Sequence, residues 1–385
     1  MTKLKKHKHT PFVWIAYIIV IVQAIYNPVI STVSTIQIYL ANALLLILLV
    51  SKVLFGKETS DSRLKSDSFP IWVYFGYCLI FILSSLAFGI NQFALGNFAR
   101  LSSLLLMISL FQGFSKSLES LVNLYFLLNC CIGLILLIKF SASGIDISNR
   151  ISPAGQGNAN CFGATVSLIS LLRISLRNSF SHFQNLCVYF FGMPISILTI
   201  LGTYSRGATL GFTIGLVFIG LQKSKYTHAP KIIGLVLLLV FILEILKFSN
   251  SSLLSRFSAE SFIDSSGRNI IFRNALDSFI KNPIFGSGVS SRMNPFFSGE
   301  ASTHNVFLQV VGETGLLGLI FLLLLLALVV SRYHPKLSAP ALACLFIVSL
   351  TDNHFLAVQF HLAVSIVYLV LLQDRNGDSI VKTIN

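Results

Sequence analysis

Residues 249–305 read SNSSLLSRFSAESFIDSSGRNIIFRNALDSFIKNPIFGSGVSSRMNPFFSGEASTHN and run straight into VFLQVVGETGLLGLIFLLLLLALVV at 306–330. A long polar segment therefore ends on an apolar run of membrane-crossing length, since a ~30 Å hydrocarbon core needs about twenty residues of helix. Outside that segment the chain is overwhelmingly apolar. Of its 385 residues 54% are hydrophobic and 11% charged, and the mean hydropathy is +0.80. Soluble domains carry about 25% charged residues, so the chain reads as an integral membrane protein.

About twelve apolar spans are expected, near 11–31, 35–52, 69–88, 97–113, 120–140, 157–172, 183–202, 205–222, 231–248, 304–330, 338–353 and 355–372. The expected fold is all-α and polytopic. It forms one membrane domain over 1–385, with a single long loop, 249–303, that carries short helices. The opening MTKLKKHKHTPFVWIAYIIVIVQ has the charged and apolar regions of a signal peptide. Its apolar part is too long, and no small-x-small cleavage site follows, so a retained first helix is expected.

A net charge of +14 raises the question of nucleic acid. The basic residues are dispersed among the connections between spans, which is the signature of membrane orientation instead. With an even number of spans both termini share one side. That side collects the basic residues from Lys3 through Lys52, Lys65, Lys116, Arg173, Lys223 and Arg332 to Lys382, whereas the short connections opposite hold Arg150 and Arg206. The termini are then cytoplasmic and the 249–303 loop external (periplasmic in a cell with two membranes). Arg150, Arg206, the loop, His304 and the turn Asp352-Asn353-His354 all fall on the external face.

The six cysteines lie in or against apolar runs, and no spacing suggests zinc or a disulfide framework. No Walker A sequence, HExxH, GxSxG or DxD occurs, which removes support for ATP-driven transport, metalloprotease, serine-hydrolase and metal–nucleotide-sugar chemistry.

The polar residues of the external face each carry two readings. In TYSRGATLG (203–211), Arg206 sits at a membrane edge as either a snorkelled anchor or an anion contact. Gly207 and Gly211 permit close approach of a helix or headgroup. SSGRNIIFRNALDSFIKNPIFGSG (265–288) predicts an amphipathic helix, capped by Ser265 or Ser266, ended by Asn282-Pro283, and followed by a flexible Gly286-Ser287-Gly288 turn. Arg268 falls in its first turn, where the helix dipole disfavours a cation unless an anion sits between them. The alternative is a surface helix with Arg268 and Arg273 solvated. His304 is either an interfacial polar residue or a base that reaches a hydroxyl. Glu313, deeper in the same span, should face a cavity or partner. NRISPAGQGNANCFG (149–163) is a re-entrant bend or a plain turn, with Arg150 as a possible anion contact.

The ordered set Ser205-Arg206-Gly207, Gly267-Arg268, Asn282 to Gly288 (NPIFGSG), His304 to Gln309 (HNVFLQ) and Glu313 to Gly318 (ETGLLG) resembles the O-antigen ligase/polymerase superfamily of bacterial membrane glycosyltransferases. The specific part of the resemblance covers roughly residues 145–320. It implies a GT-C-like helical fold in the bacterial inner (plasma) membrane. The implied activity takes a glycan from undecaprenyl diphosphate and passes it, with inversion, to an acceptor hydroxyl, without metal or other cofactor. Carried over by motif, Arg206 and Arg268 would grip the diphosphate, and His304 would take or orient the acceptor's proton. Arg150, Arg273, Asn305 and Asp352 are further candidates for binding donor or glycan.

A ligase would use a lipid A core sugar as acceptor and a polymerase a second lipid-linked repeat. The ligase-like reading is preferred. The alternative from another class is a polysaccharide flippase or transporter, which usually shows pseudo-repeats and polar groups near the bilayer midplane.

Overall fold

The structure, a computed structural model, describes residues 69–89, 94–99, 102, 104, 108, 118–142, 151, 159–221, 268–289, 303–333, 335–351 and 358–375. Among these there is no strand. The helices are α1 (Phe69–Phe88), α2 (Leu118–Ala142), α3 (Ala159–Ser175), α4 (His182–Cys187), α5 (Met193–Gly202), α6 (Arg206–Leu221), α7 (Arg268–Lys281), α8 (Val306–Tyr333), α9 (Ala339–Thr351) and α10 (Val358–Arg375). Where the residues on both sides of a helix end are described, the end falls within about three residues of the expected apolar run. Three expected spans, at 11–31, 35–52 and 231–248, lie outside the described residues, as does most of 97–113.

Three helical runs among the described residues are long and apolar enough to cross a membrane: Leu118–Lys139, His182–Gly202 and Val306–Tyr333. The second joins α4 to α5 through a π-helical stretch, Val188–Gly192, just before Pro194, which has no N–H for the regular ladder. Ser181 and Gln184 start α4 with a reciprocal capping box.

The middle of the bundle is α3. Its residues from Cys161 to Ile174 are all buried, and it packs against α2, α5, α6, α9 and α10. A helix enclosed all round has no polar face, and α3 reaches its neighbours through small residues. Ser167 Oγ donates to Gly163 O at 2.8 Å within the helix and to Ala208 O at 3.2 Å on α6. Small hydroxylated residues that bring backbones close are the usual cement of apolar bundles.

One charge departs from expectation. Arg173 reads as ordinary cytoplasmic flanking charge, yet it is 0% exposed. Its Nε donates to Asn123 Oδ1 at 2.9 Å and its Nη1 to Asn185 Oδ1 at 3.1 Å, and the Phe180 ring centroid lies 3.6 Å from Cζ. The guanidinium thus joins α2, the end of α3 and α4. Neutral amide oxygens and a ring face replace water around a charge that would be costly to bury bare.

Candidate functional site

Two helices begin at motif residues. Position 206 opens α6 and Asn305 immediately precedes α8, while position 268 is the first described residue of α7. Helix N-termini present unpaired N–H groups and a partial positive charge of about +0.5, so each start favours an anion nearby.

The start of α6 is built by its own turn. Tyr204 takes a left-handed φ of 50°, and Ser205, buried, accepts from Ala208 N at 3.3 Å as an N-cap. Arg206 follows, partly buried. Gly207 then meets α9 so closely that an added Cβ would lie 1.8 Å from Thr351 Oγ1. The glycine is what lets the Arg206 turn press on the C-terminal end of α9.

The start of α8 reaches the same place. Asn305 Oδ1 caps the helix by accepting from Leu308 N at 3.0 Å, while its Nδ2 donates to Leu350 O at 3.0 Å, again at the end of α9. Arg206, His304 and Asn305 are therefore gathered around one helix end, although a hundred residues separate them in sequence. His304 itself adopts φ 53°, a left-handed conformation that costs a non-glycine residue about 1 kcal/mol or more. The preceding Thr303 is fully buried, and its Oγ1 donates to Asn305 O at 2.6 Å. Strain held by surrounding bonds is a common property of working residues.

Asn305→Ala removes both the cap and the bond to α9. The expected loss is about 1 kcal/mol for the cap and about as much for the second hydrogen bond. Asn305→Asp keeps the cap acceptor and loses the Nδ2 donor, so its thermal midpoint in detergent should fall between those of Asn305→Ala and wild type. Equal midpoints for all three would show that neither bond matters.

The α7 helix, Arg268–Lys281, falls within the stretch where a helix is expected, and the proposed cap residues Ser265 and Ser266 lie outside the described residues. Its buried stripe is narrower than the sequence suggests. Ile271 and Ala275 are buried, α7 packs on α8, and Ile270 and Ile280 are exposed. Position 268 falls on the Ile271–Ala275 stripe at helical spacing, whereas Arg273 is about 140° around from 268 by helix geometry and is exposed. The structure does not bring positions 268 and 273 to one face. Arg150 and Asp352 lie outside the described residues. Their chain neighbours are informative: Ile151 N donates to Gly202 O at 2.9 Å, close to the Arg206 turn, and Thr351 is the α9 residue that meets Gly207.

The segment after α7 is not the flexible turn its glycines suggest. It is bonded along a break in α8. Ser287 N donates to Gly312 O at 2.9 Å, Gly288 N to Glu313 O at 3.0 Å, Leu316 N to Pro283 O at 2.8 Å and Leu317 N to Ile284 O at 3.3 Å. Ser287 Oγ adds a bond to Gly312 O at 3.0 Å. These carbonyls and N–H groups are available because Gly315 (φ 61°, ψ −149°) interrupts the helix. NPIFGSG and ETGLLG, two separate motifs in sequence, are thus one interlock. The end of α1 joins it through Val289 N, which donates to Ser84 Oγ at 2.9 Å.

Two buried residues of α8 escaped the motif reading as a pair. Gln309 and Glu313 are 5% and 7% exposed. Gln309 Nε2 donates to Glu313 Oε1 at 2.7 Å, and Gln309 Oε1 accepts from Thr303 N at 3.2 Å. Their i, i+4 spacing on an otherwise apolar run was the available signal.

The helix start at 206, the α7 helix, the interlock and the His304 turn all lie in one continuous stretch, and that stretch matches a known family. Residues 191–323 match the O-antigen ligase family. No match among curated proteins was found. The family match supports the O-antigen ligase/polymerase resemblance. That match supports, in general terms, an activity of O-antigen ligase or polymerase type. The matched O-antigen ligase region contains Arg206, Arg268, Arg273, His304 and Asn305, and leaves Arg150 and Asp352 outside.

Proposed function

We propose that this protein is an inverting glycosyltransferase of the external face of the bacterial inner membrane, with cytoplasmic termini and the 249–303 loop as its catalytic loop. Its donor is a glycan on undecaprenyl diphosphate and its acceptor a hydroxyl of a lipid A core sugar. The observation that carries this reading is the gathering of the Arg206 turn and the His304–Asn305 turn at the end of α9. A basic helix start and a histidine in one place suit a leaving diphosphate and an attacking hydroxyl.

The acceptor oxygen attacks the anomeric carbon opposite the diphosphate, the C–O bond to phosphate breaks, and the hydroxyl proton passes to His304 or is oriented by it. Arg206 and Arg268 meet the charge that grows on the leaving diphosphate. Their forked, permanently charged donors suit phosphate oxygens better than a lysine's point charge, and they need no divalent cation. The exposed apolar residues on α7 and after it, among them Ile280, Ile284 and Phe285, would help exclude water from the donor and so limit hydrolysis.

The test is the surface glycan of a strain lacking the gene, complemented with wild type or Arg268→Ala. Removal of one preorganised cationic contact should slow transfer by about 10²-fold. The expected gel shows full-length polymer retained on undecaprenyl diphosphate beside bare lipid acceptor. Acceptor capped by a single repeat would instead assign a polymerase. Donor trapped on the cytoplasmic side would make the protein a transporter, and an unchanged profile would overturn the pathway altogether.

A further inference from the structure

We propose that Glu313 and Gln309 are positioning residues for His304, coupling the base to the docked loop. The inference rests on the reading of His304 given above. Glu313 is eight residues beyond Asn305, about 12 Å along the helix axis, so it is too deep for direct exchange of a proton with His304. Gln309 stands between them, and a neutral amide is a poor proton carrier. What the amide does transmit is position. Its Nε2 donates to Glu313 Oε1 at 2.7 Å, which fixes the plane of the amide and aims Oε1 at Thr303 N, 3.2 Å away. Thr303 is the residue before His304, is 0% exposed, and is also tied on its other side, through Oγ1, to Asn305 O at 2.6 Å. The backbone on both sides of His304 is therefore held, and the left-handed φ of 53° is what that hold imposes.

The far end of the chain of bonds is equally defined. Glu313 O accepts from Gly288 N at 3.0 Å, and the adjoining Gly312 O accepts from Ser287 N and Ser287 Oγ. The carboxylate that aims Gln309 is thus carried on the backbone to which the loop after α7 is fastened. An apolar span tolerates a carboxylate and an amide poorly. Their burial at 7% and 5% exposure is accounted for by a network in which every step has a named partner. Loop docking and the orientation of His304 then form one mechanical unit.

The test uses purified full-length protein, with the undecaprenyl-diphosphate glycan and the acceptor lipid both extracted from a strain lacking the gene. A misplacement of about 1 Å in a catalytic group costs on the order of 10²-fold. Glu313→Ala and Gln309→Ala should therefore lose roughly 10- to 100-fold in kcat with the KM for donor little changed, and each should lower the thermal midpoint because it leaves a buried partner unsatisfied. Glu313→Gln keeps an oxygen for Gln309 Nε2 and should stay within about threefold of wild type.

Gln309→Glu sets two carboxylates against each other and should be as slow as Gln309→Ala. Adding Glu313→Gln to it rebuilds the chain in reverse, with residue 313 donating to residue 309, and should restore transfer. That rescue decides the matter even if Glu313→Ala fails to accumulate. A Glu313→Gln variant as slow as Glu313→Ala would mean that the charge itself is used, and would overturn positioning. Wild-type kcat in both alanine variants would overturn it too. Transfer that survives His304→Ala would instead overturn the underlying reading, whatever the Glu313 series shows.

Discussion

His304→Ala is expected to slow glycan transfer by about 10²- to 10⁴-fold, the range a positioned general base contributes, in a protein that still inserts and binds donor. The backbone makes this prediction unusually sharp. At φ 53° the native histidine carries backbone strain that glycine would not, and asparagine tolerates the region at least as well as most side chains. His304→Gly and His304→Asn should therefore have thermal midpoints no lower than wild type, while transfer collapses in His304→Gly. A residue that relieves strain when replaced, yet abolishes activity, is being kept for chemistry rather than for stability.

Asparagine separates the two roles open to His304. If the imidazole only orients the acceptor hydroxyl, an amide at 304 retains a hydrogen-bond partner and should keep transfer within about tenfold of wild type. If it takes the proton, asparagine is as inactive as alanine. The measurement is single-turnover transfer by purified protein at saturating donor. Transfer within threefold of wild type in His304→Gly would remove His304 from the chemistry.

The sequence reading and the structure agree where the signal is continuous apolarity. Runs of Leu, Ile, Val and Phe ended by Gly, Pro or charge mark where α2, α6, α8 and α9 lie, to within about three residues at their described ends, because lipid solvation leaves a chain little alternative to a helix. The amphipathic α7 was equally legible, from Asn282-Pro283 behind it and apolar residues at near-helical spacing within it. Less legible was everything set by packing between distant segments. Arg173 looks like any flanking arginine, and only the folded chain brings Asn123, Asn185 and Phe180 around it.

At the candidate site the residue types were readable and their partnerships were not. Arg206, His304 and Asn305 stand out as polar residues at membrane edges. Nothing local announces that Gly207 will meet Thr351 or that Asn305 will hold Leu350 O. Gly286-Ser287-Gly288 is the instructive failure. Glycine next to serine signals freedom in an isolated peptide, and here the same residues supply close approach and free N–H groups to a partner about twenty-five residues later. Whether a glycine means mobility or contact depends on what faces it, which one stretch of sequence does not contain.

That contact yields the second large effect. Gly315→Ala and Gly286→Ala should each destabilise the protein by about 3–6 kcal/mol, a major part of the 5–15 kcal/mol that domains typically possess. Two causes add. Gly315 lies at φ 61°, ψ −149°, a region essentially reserved for glycine, where a side chain costs about 1–3 kcal/mol. The added Cβ would also stand 2.6 Å from Ile284 C, and at Gly286 (φ 69°) it would stand 2.4 Å from Glu313 C. Both obstacles are backbone, fixed by the very hydrogen bonds the substitution would force apart, so neither can rotate aside. Breaking the interlock forfeits four backbone bonds, worth on the order of 1 kcal/mol each.

Gly96→Ala is the matched control. It lies in a helical stretch with nothing within 4 Å of the new Cβ, and should stabilise the protein by about 0.5–1 kcal/mol through helix propensity alone. Thermal midpoints of the three variants in one detergent give the comparison. Should Gly315→Ala and Gly286→Ala behave like Gly96→Ala, the loop is not fastened to α8. The route from loop to His304 would then fail at its first step, even with Gln309 and Glu313 still in contact.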